Sequence, residues 1–419
     1  MPLIEVSKSG GLLRGWRRMG FAPPVLGMTA VAILASLFGY LLSGSVQSQT
    51  PGPPITTVEA LGSELFGDVN LSLHRSQACT SCHSPNLAFT DPRMAPEVGG
   101  AVSLGGDAKS LGERNAPTVT YAAHMPEFHI NAAGEPIGGF FLDGRAKTLA
   151  EQAGGPPLNP LEMGMPDKAS VVERLKENPR YVAAFNALFA PGVLNDVEQG
   201  YSAMTAAIAR FESTPEFSTF DSRYDRSLRG EVKLTDQEEL GRVLFFSEQF
   251  TSCSECHKGN MFGGTEKELF SNFEFHNIGV PANAALTAAT GRGPDLGLAA
   301  NAHLAAADGK AASVPVSAHR GKFKVPTLRN VAVTAPYMHN GVFGDLRTVV
   351  LFYDKFNNRS AARQINPETG KPWGDPETPE NISTDDLERG RAMDNRRIDA
   401  MVAFLKTLTD KRFEHLIAP

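Results

Sequence analysis

Apolar residues recur at helical spacing in two segments that lie far apart in the chain, residues 201–211 and 398–408. Apolar positions three and four residues apart line one face of a helix, so each segment predicts an amphipathic helix packed on a core. Two shorter segments, residues 61–66 and 240–245, share the pattern Leu-Gly-x-x-Leu-Phe. Their glycines would allow another backbone to approach closely. The pattern predicts a mainly α fold with an internal duplication.

Segments rich in glycine, alanine or proline separate these helices, at residues 84–116, 282–322 and 358–385. Such composition predicts long loops, where contacts with substrates and partners tend to lie. Residues 212–231 are rich in Ser, Thr, Arg and Asp and have no sustained apolar period. We therefore predict an N-terminal domain over residues 51–220 and a C-terminal domain over residues 221–419.

The first 50 residues differ in kind from the rest. Four basic residues, Lys8, Arg14, Arg17 and Arg18, precede an uncharged stretch that contains an apolar run at residues 25–42. This order is typical of an export signal or of a single membrane anchor. The run is long for a signal and borderline for a spanning helix, so both a cleaved leader and a membrane tether through residues 20–45 remain open.

The 419 residues have room for two or three domains, and the formal net charge is −6. The body of the chain is more acidic still, because the leader is basic. An acidic surface excludes nucleic acid as an expected partner, since binding to phosphates requires lysine and arginine.

All four cysteines belong to two Cys-x-x-Cys-His motifs. They are Cys79 and Cys82 followed by His83, and Cys253 and Cys256 followed by His257. The motif is typical of covalent haem c attachment, in which two thiols bind the porphyrin and the histidine binds its iron. A zinc ribbon would bring the two pairs much closer in sequence, and a thioredoxin-like pair would leave the histidines unexplained. The motifs predict two haem c groups and therefore export to the periplasm, where bacteria attach them.

Other motifs occur in a fixed order around these two. They are Asn-Ala-Pro-Thr at 115–118, Phe-Leu-Asp-Gly-Arg at 141–145, Glu-Gln at 151–152, Gly-Pro at 155–156, Asn-Pro-Leu-Glu-Met at 159–163, Val-Pro-Thr-Leu-Arg-Asn-Val at 325–331 and Thr-Ala-Pro-Tyr-Met-His-Asn-Gly at 334–341. Over residues 55–410 the chain resembles the bacterial diheme cytochrome c peroxidase and MauG superfamily. The resemblance implies two cytochrome c-like haem domains with long loops and with the haems near a shared interface.

The resemblance places the sixth ligand of the second haem at Tyr353, counted forward from the Pro-Tyr-Met-His segment. A tyrosine oxygen is a hard ligand that stabilises ferric and higher oxidation states, whereas a methionine sulfur favours ferrous iron. Tyr353 is therefore the MauG-like choice. The alternative is that Tyr353 is a buried aromatic residue and that Met338 or Met393 binds the iron.

The first haem is expected to have an open distal face, because no histidine lies between His83 and His124. His124 or His129 remains the alternative distal ligand. The resemblance assigns Glu162 as the distal acid that moves a proton during cleavage of peroxide, with Gln152 and Pro156 lining the same pocket. Read alone, Glu162 would be an ordinary surface acid after a proline turn.

The resemblance also implies a calcium ion between the haems, held by the Asn115 side chain and by the backbone carbonyls of Thr334 and Pro336. Oxygen ligands of this kind suit calcium. One position departs from the family pattern, since Leu142 stands where the family usually has a tryptophan between the haems. The chain has only two tryptophans, Trp16 and Trp373. Charge would have to pass by another route, such as Phe140 or Phe141, a tyrosine, or direct coupling of the porphyrins.

These features predict an oxidoreductase that uses hydrogen peroxide to form a high-valent haem state and then oxidises residues, tryptophan above all, of a secreted partner protein. One alternative is a cytochrome c peroxidase that takes electrons from a small electron-transfer protein. The other is a diheme electron carrier without catalysis. Oxidation of the chain's own Trp373 is a lesser expectation.

Overall fold

The computed structural model describes residues 52–93, 95–259, 267–307 and 315–418, except for the side chains of residues 305–307. The predicted leader at residues 1–50 lies outside these ranges. Residues Pro53–Pro419 form one compact unit. Among the described residues, no helix has both the length and the apolar character needed to cross a membrane.

Helices dominate the described part of the chain, as the apolar pattern predicts. They are α1 Val58–Phe66, α2 Cys79–Cys82, α3 Leu149–Ala153, α4 Lys168–Lys176, α5 Pro179–Leu188, α6 Val197–Glu212, α7 Arg223–Leu228, α8 Asp236–Phe245, α9 Cys253–Cys256, α10 Ala284–Thr290, α11 Ala302–Ala307, α12 Leu346–Asp354, α13 Thr384–Leu387 and α14 Asn395–Lys406. Short 3₁₀ turns, among them Pro156–Leu158 and Lys411–Leu416, lie in the connections. The prediction of a mainly α protein is confirmed.

The described strands are short and pair as antiparallel two-stranded ribbons. They are β1 His129–Ile130 with β2 Pro136–Ile137, β3 Phe275–His276 with β4 Phe323–Lys324, and β5 Ile365–Asn366 with β6 Lys371–Pro372. In the second ribbon Phe275 lies opposite Lys324. All three ribbons lie in the connections between helices.

Two helix pairs organise two hydrophobic cores. Helices α1 and α6 pack together in the first core, and α8 and α14 pack together in the second. Each of the four helices begins at a side chain that accepts a backbone hydrogen bond, which satisfies an otherwise free N–H group. These N-caps are Thr57, Asp196, Thr235 and Asp394.

The two glycines of the repeated Leu-Gly pattern make the same contact. A Cβ added to Gly62 would lie 2.0 Å from the Ala207 carbonyl oxygen of α6, and one added to Gly241 would lie 1.9 Å from that of Ala400 in α14. Any larger side chain would force the paired helices apart. The expected close backbone approach is thus present in both halves.

Several connections contain more helix than their composition predicts. Residues 212–231, expected to be irregular, contain α7, and residues 282–322 contain α10 and α11. A domain boundary near residue 220 stays a prediction. The 3₁₀ turn Lys411–Leu416 carries Phe413 back to the first core, where it is 2 % exposed.

Candidate functional site

The first Cys-x-x-Cys-His motif forms a single helical turn. Helix α2 spans the two cysteines, and the His83 N–H donates to the Cys79 carbonyl at 2.8 Å. The His83 Nδ1 lies 3.2 Å from the Phe89 carbonyl oxygen. A proton on Nδ1 that donates to this carbonyl leaves Nε2 free for iron. Burial lowers the pKa of His83, which keeps the ring in the neutral form that binds metal.

The second motif repeats this geometry. The His257 N–H donates to the Cys253 carbonyl at 2.9 Å, and His257 Nδ1 lies 2.9 Å from the Phe270 carbonyl oxygen. Burial lowers the pKa of His257 to about 4. Both histidines are therefore fixed, neutral and available through Nε2, which fits the requirement of a haem iron.

A cavity of about 390 Å³ lies beside the second motif and is lined by Cys253, Cys256, His257 and Tyr353. Much of its wall is apolar, including Leu346, Val350 and Leu405. Two thiols, one imidazole and an apolar cleft at a single place are the parts that a covalently attached porphyrin needs. The residues present fit haem c.

Tyr353 lies near the end of α12, whose N-cap Asp345 accepts from the Thr348 N–H. Burial raises the pKa of the Tyr353 phenol above its ordinary value. Met338 and Met393 line the same cavity. The structure therefore brings all three predicted candidates for the sixth ligand to one site, and the choice of Tyr353 stays a prediction.

The predicted distal acid lies in a turn that follows α3. The Asn159 side-chain amide donates to Glu162 Oε1 at 2.9 Å. Burial raises the pKa of Glu162, against the opposing effects of Arg145 and Asn159. Glu162 also contributes to the raised pKa of the Cys79 thiol, after burial, Glu212 and Cys82, so it lies within electrostatic reach of the first motif. It is not the ordinary surface acid that its local sequence suggests.

Gln152 and Pro156 belong to the same compact turn as Glu162. Gln152 lies in α3, and its carbonyl accepts from the Gly155 N–H at 2.9 Å. Pro156 begins the next 3₁₀ turn, and its carbonyl accepts from the Met163 N–H at 3.3 Å. All of them are at least partly buried. The turn thus groups the three predicted distal residues, whose roles stay predictions.

The three predicted calcium ligands lie together in the wall of the cavity beside the second motif. Asn115, Thr334 and Pro336 are all in its wall. The Asn115 N–H donates to the His339 carbonyl at 2.8 Å, which joins the two segments that carry the ligands. The Asn115 side-chain amide donates to the Ala101 carbonyl at 3.2 Å and so leaves its oxygen as the acceptor. The donor set is all oxygen, which fits calcium.

The two alternative histidines lie in different surroundings. His124 packs edge-on against the ring of Phe220, with centroids 5.3 Å apart. His129 is exposed, and its Nδ1 lies 2.8 Å from the Glu127 carbonyl oxygen. Within the described part of the chain, neither His124 nor His129 makes a hydrogen bond or a ring contact with His83.

Lys324 is a buried base that its sequence context does not reveal. The backbone N–H of Lys324 donates to the Leu142 carbonyl at 2.8 Å, and the side-chain ammonium donates to the Gly139 carbonyl. Burial lowers the pKa of Lys324 to about 7, and the residue lines the cavity beside the second motif. A charge that changes near neutral pH thus lies beside the position where the family usually has tryptophan. A single lysine in a two-residue strand gives no signal of burial.

Gln77 and Arg93 are two further residues near the first haem site that no sequence motif singles out. The Gln77 amide lies 3.2 Å from Cys82 Sγ, and the Arg93 guanidinium lies 3.0 Å from the same sulfur. Both residues position one attachment sulfur of the first site. The nearness of both residues to the motif was the available signal.

Two haem attachment turns in one helical body define a dihaem c-type protein. The family profile described as "Di-haem cytochrome c peroxidase" matches residues 56–233. Methylamine utilization protein MauG of Paracoccus denitrificans is 48 % identical over 390 residues, which cover 93 % of this chain and 98 % of that protein. Cytochrome c551 peroxidase of Pseudomonas aeruginosa is 29 % identical over 352 residues, which cover 84 % and 86 %.

Among solved structures, the diheme peroxidase BthA from Burkholderia thailandensis superposes with a TM-score of 0.73 at 33 % identity, covering 87 % of this chain and 89 % of that one. The chain therefore belongs to the di-haem cytochrome c peroxidase family, as a MauG-like, peroxide-dependent dihaem oxidoreductase with two haem c groups. The predicted family, fold class and enzyme class are confirmed.

Proposed function

We propose that this oxidoreductase takes its electrons from amino-acid side chains of a secreted partner protein, with tryptophan as the expected residue. The observation that carries the proposal is Tyr353, whose phenol lies in the wall of the cavity that also contains Cys253 and His257. The likeness to MauG over nearly the whole chain supports it.

When bound, the two haem groups supply one iron that reacts with hydrogen peroxide and a second redox centre. The protein supplies their orientation. His83 and His257 hold their protons on Nδ1, each facing a backbone carbonyl, and present Nε2. Because both rings are buried and neutral, they bind iron without first losing a proton.

Glu162 supplies a proton. Its Oε1 accepts from Asn159, so the proton of the neutral acid is held at Oε2. The complete reduction of hydrogen peroxide to two waters consumes two protons and two electrons. Burial raises the pKa of Glu162, so at a given pH more of this acid carries the proton that can be delivered to the departing oxygen. Gln152 and Pro156 form the adjoining wall of this pocket.

Glu162→Gln tests this role. The amide keeps the shape and the contact with Asn159 but cannot donate a proton as an acid. We expect the peroxide-induced change in the absorption spectrum to slow by about 10²-fold or more, the scale of general acid catalysis. Glu151→Gln is the control, since Glu151 is an exposed neighbour on α3. An unchanged rate for Glu162→Gln would remove Glu162 from the mechanism.

Tyr353 gives the second site a hard oxygen donor, which stabilises higher oxidation states of iron. Tyr353→Phe removes the oxygen and keeps the ring. We expect the electron paramagnetic resonance signal of the second haem to change in Tyr353→Phe and to persist in Met338→Leu and Met393→Leu. A retained signal in Tyr353→Phe, with a change in one methionine variant, would reassign the ligand.

The calcium ion belongs to the same proposal. The Asn115 side-chain oxygen and the carbonyls of Thr334 and Pro336 form part of the cavity wall and suit Ca²⁺. Asn115→Leu keeps the size of the side chain and removes its oxygen. We expect this variant to retain less calcium than the wild type after dialysis, as measured by atomic emission.

Export to the periplasm completes the proposal. Two haem c attachment motifs and a basic, then apolar, N-terminal sequence support this location. Fractionation of cells that express the full chain, followed by N-terminal sequencing, distinguishes a cleaved leader from a retained membrane tether.

A peroxidase that draws electrons from a small cytochrome is the second candidate, supported by the similarity to cytochrome c551 peroxidase. One titration separates the two. Peroxide is added to the ferric protein without a donor and the spectrum is followed. A long-lived spectral change supports oxidation of a partner residue, whereas rapid turnover only with reduced cytochrome c supports the peroxidase.

A further inference from the structure

An aromatic cluster adjoins Tyr353, which lies in the wall of the cavity beside the second motif. Phe352 is fully buried, and its ring centroid lies 6.1 Å from that of Tyr353. Phe343 and Trp373 complete the cluster, with Trp373 centred 5.5 Å from Phe352 and 5.7 Å from Phe343. Continuous ring contacts therefore run from the cavity wall to Trp373.

Trp373 is the outer end of this cluster. It directly follows strand β6, and its indole N–H donates to the Arg363 carbonyl at 2.7 Å. The ring is half-buried and lines a surface depression with Lys355 and Phe356. One side of the indole thus touches the aromatic cluster while the residue itself reaches the surface.

The side chains along this line differ in how readily they give up an electron. Indole and phenol are readily oxidised, whereas the phenyl ring of Phe352 is not. Phe352 would therefore be a bridge that an electron crosses without residing there. Trp373 is the single tryptophan in the part of the chain that the structure describes. It is the surface group best able to exchange an electron with Tyr353.

We propose that Trp373 is the residue through which external electrons reach the second haem site. A donor gives one electron to the indole, and the indole gives one electron across Phe352 to the centre at Tyr353. Two such transfers balance the reduction of one hydrogen peroxide, with two protons, to two waters. Trp373 ends unchanged and the donor loses two electrons. The proposal rests on the proposed function, because it needs the oxidant that peroxide generates.

Lys355 favours transfer over storage of charge at this position. Its ammonium lies 4.0 Å from the centre of the Phe352 ring and 5.8 Å from that of Trp373. A nearby cation opposes a lasting positive charge on the indole. Because the oxidised indole is destabilised by this charge, rapid transfer of an electron to it from a donor is favoured.

The test uses the haem-loaded protein with peroxide and ferrocyanide, a one-electron donor. Trp373→Phe keeps a ring against Phe352 and removes the oxidisable indole. We expect the rate of ferrocyanide oxidation to fall at least tenfold in Trp373→Phe. Phe356→Leu is the matched control, because it alters the same depression without removing an oxidisable group, and we expect the wild-type rate. A wild-type rate in Trp373→Phe would overturn the proposal.

A second measurement needs no substitution. The wild-type protein is treated with peroxide without a donor, and its peptides are analysed by mass spectrometry. We expect one oxygen at Trp373, since the indole and water then supply the two electrons and the oxygen atom. No oxygen at Trp373, in protein whose haem spectrum responds to peroxide, would also overturn the proposal. Absence of that spectral response in the wild type would instead refute the proposed function, and this proposal with it.

Discussion

Glu212 is a buried acid that no part of the proposed chemistry uses. It lies at the end of α6, is 3 % exposed, and its Oε2 has no hydrogen-bond partner within the described protein. Burial alone raises its pKa to about 8 from an ordinary 4.5. Glu212 is therefore a neutral acid at physiological pH, close enough to Cys79 to influence its pKa.

This acid makes the stability of the protein depend on pH. Between about pH 4.5 and 8 the Glu212 carboxyl of the folded state keeps a proton that the unfolded state has lost. The contribution of Glu212 to the free energy of unfolding is therefore largest below this range and falls as the pH rises through it. We expect Glu212→Gln to flatten the decline, as measured by guanidinium unfolding of the haem-loaded protein at several pH values. Glu216→Gln, at an exposed residue, should leave the profile as in the wild type. Parallel profiles for Glu212→Gln and wild type would contradict the prediction.

Lys355 gives a second prediction for a single side chain. Burial lowers the pKa of Lys355 to about 8, so the side chain is mostly charged at neutral pH. Lys355→Met removes the charge near Trp373 and keeps an unbranched chain in its place. We expect more oxygen to accumulate at Trp373 after peroxide treatment without a donor, by about two-fold or more, as read by peptide mass spectrometry. Lys371→Met, at an exposed lysine in β6, is the control.

At the scale of single residues, the sequence predicts those whose spacing is fixed by covalent attachment of haem. The positions of Cys79 and His83 follow from their motif, and Glu162 follows from the family resemblance. Glu212 and Lys324 do not, because their importance comes from burial and from contacts with segments that are distant in sequence. A lone charged residue has the same local signal whether it is buried or exposed.

The repeated glycine contact is the clearest feature among the helices. Gly62 and Gly241 occupy the same place in two helix pairs, and each faces a backbone carbonyl that cannot move independently of its helix. The apolar pattern and the glycine positions were sufficient to predict this contact, since both are local.

We expect Gly62→Ala and Gly241→Ala each to destabilise the protein by at least about 1–3 kcal/mol, the usual cost of overpacking. The added Cβ would overlap the carbonyl oxygens of Ala207 and Ala400. Gly67→Ala is the matched control, because its nearest atom would be 3.8 Å away and its φ of −98° suits alanine. Denaturant unfolding of the three variants measures the difference. Equal stability for all three would show that the helix pairs can separate without cost.

Helix α7 shows where the apolar pattern is insufficient. Its six residues are too few to establish a period, so residues 212–231 read as irregular. Its signal was a capping box instead, in which Ser222 and Asp225 satisfy each other's backbone N–H groups. Helices α10 and α11 are likewise short and alanine-rich, and their composition resembles that of a loop.

At the scale of the whole molecule, Arg329 ties distant segments together. Its guanidinium contacts the Asp225 carboxylate at 2.5 Å and donates to the Glu268 carbonyl at 2.7 Å. It also lies over the rings of Tyr121 and Phe220 at 5.4 and 5.0 Å. One buried cation thus joins segments separated by some two hundred positions, an arrangement that no local pattern can predict.

We expect Arg329→Met to cost about 3–5 kcal/mol of stability, because it leaves the buried Asp225 carboxylate without its partner. Arg75→Met removes an exposed ion pair with Glu177 and should cost no more than about 1 kcal/mol. Thermal or denaturant unfolding of both haem-loaded variants compares them. Similar costs would show that the Asp225 charge finds another partner.

The position of Phe413 in the first core has a consequence for the order of assembly. Its core neighbours, among them Phe89 and Phe217, are synthesised some two hundred residues or more earlier, and Arg412 donates to the Glu216 carbonyl beside them. Because the chain is made from its N-terminus, this core cannot be complete until residue 413 has been synthesised. Attachment at Cys79 and Cys82 has that interval in which to occur on an unfinished fold.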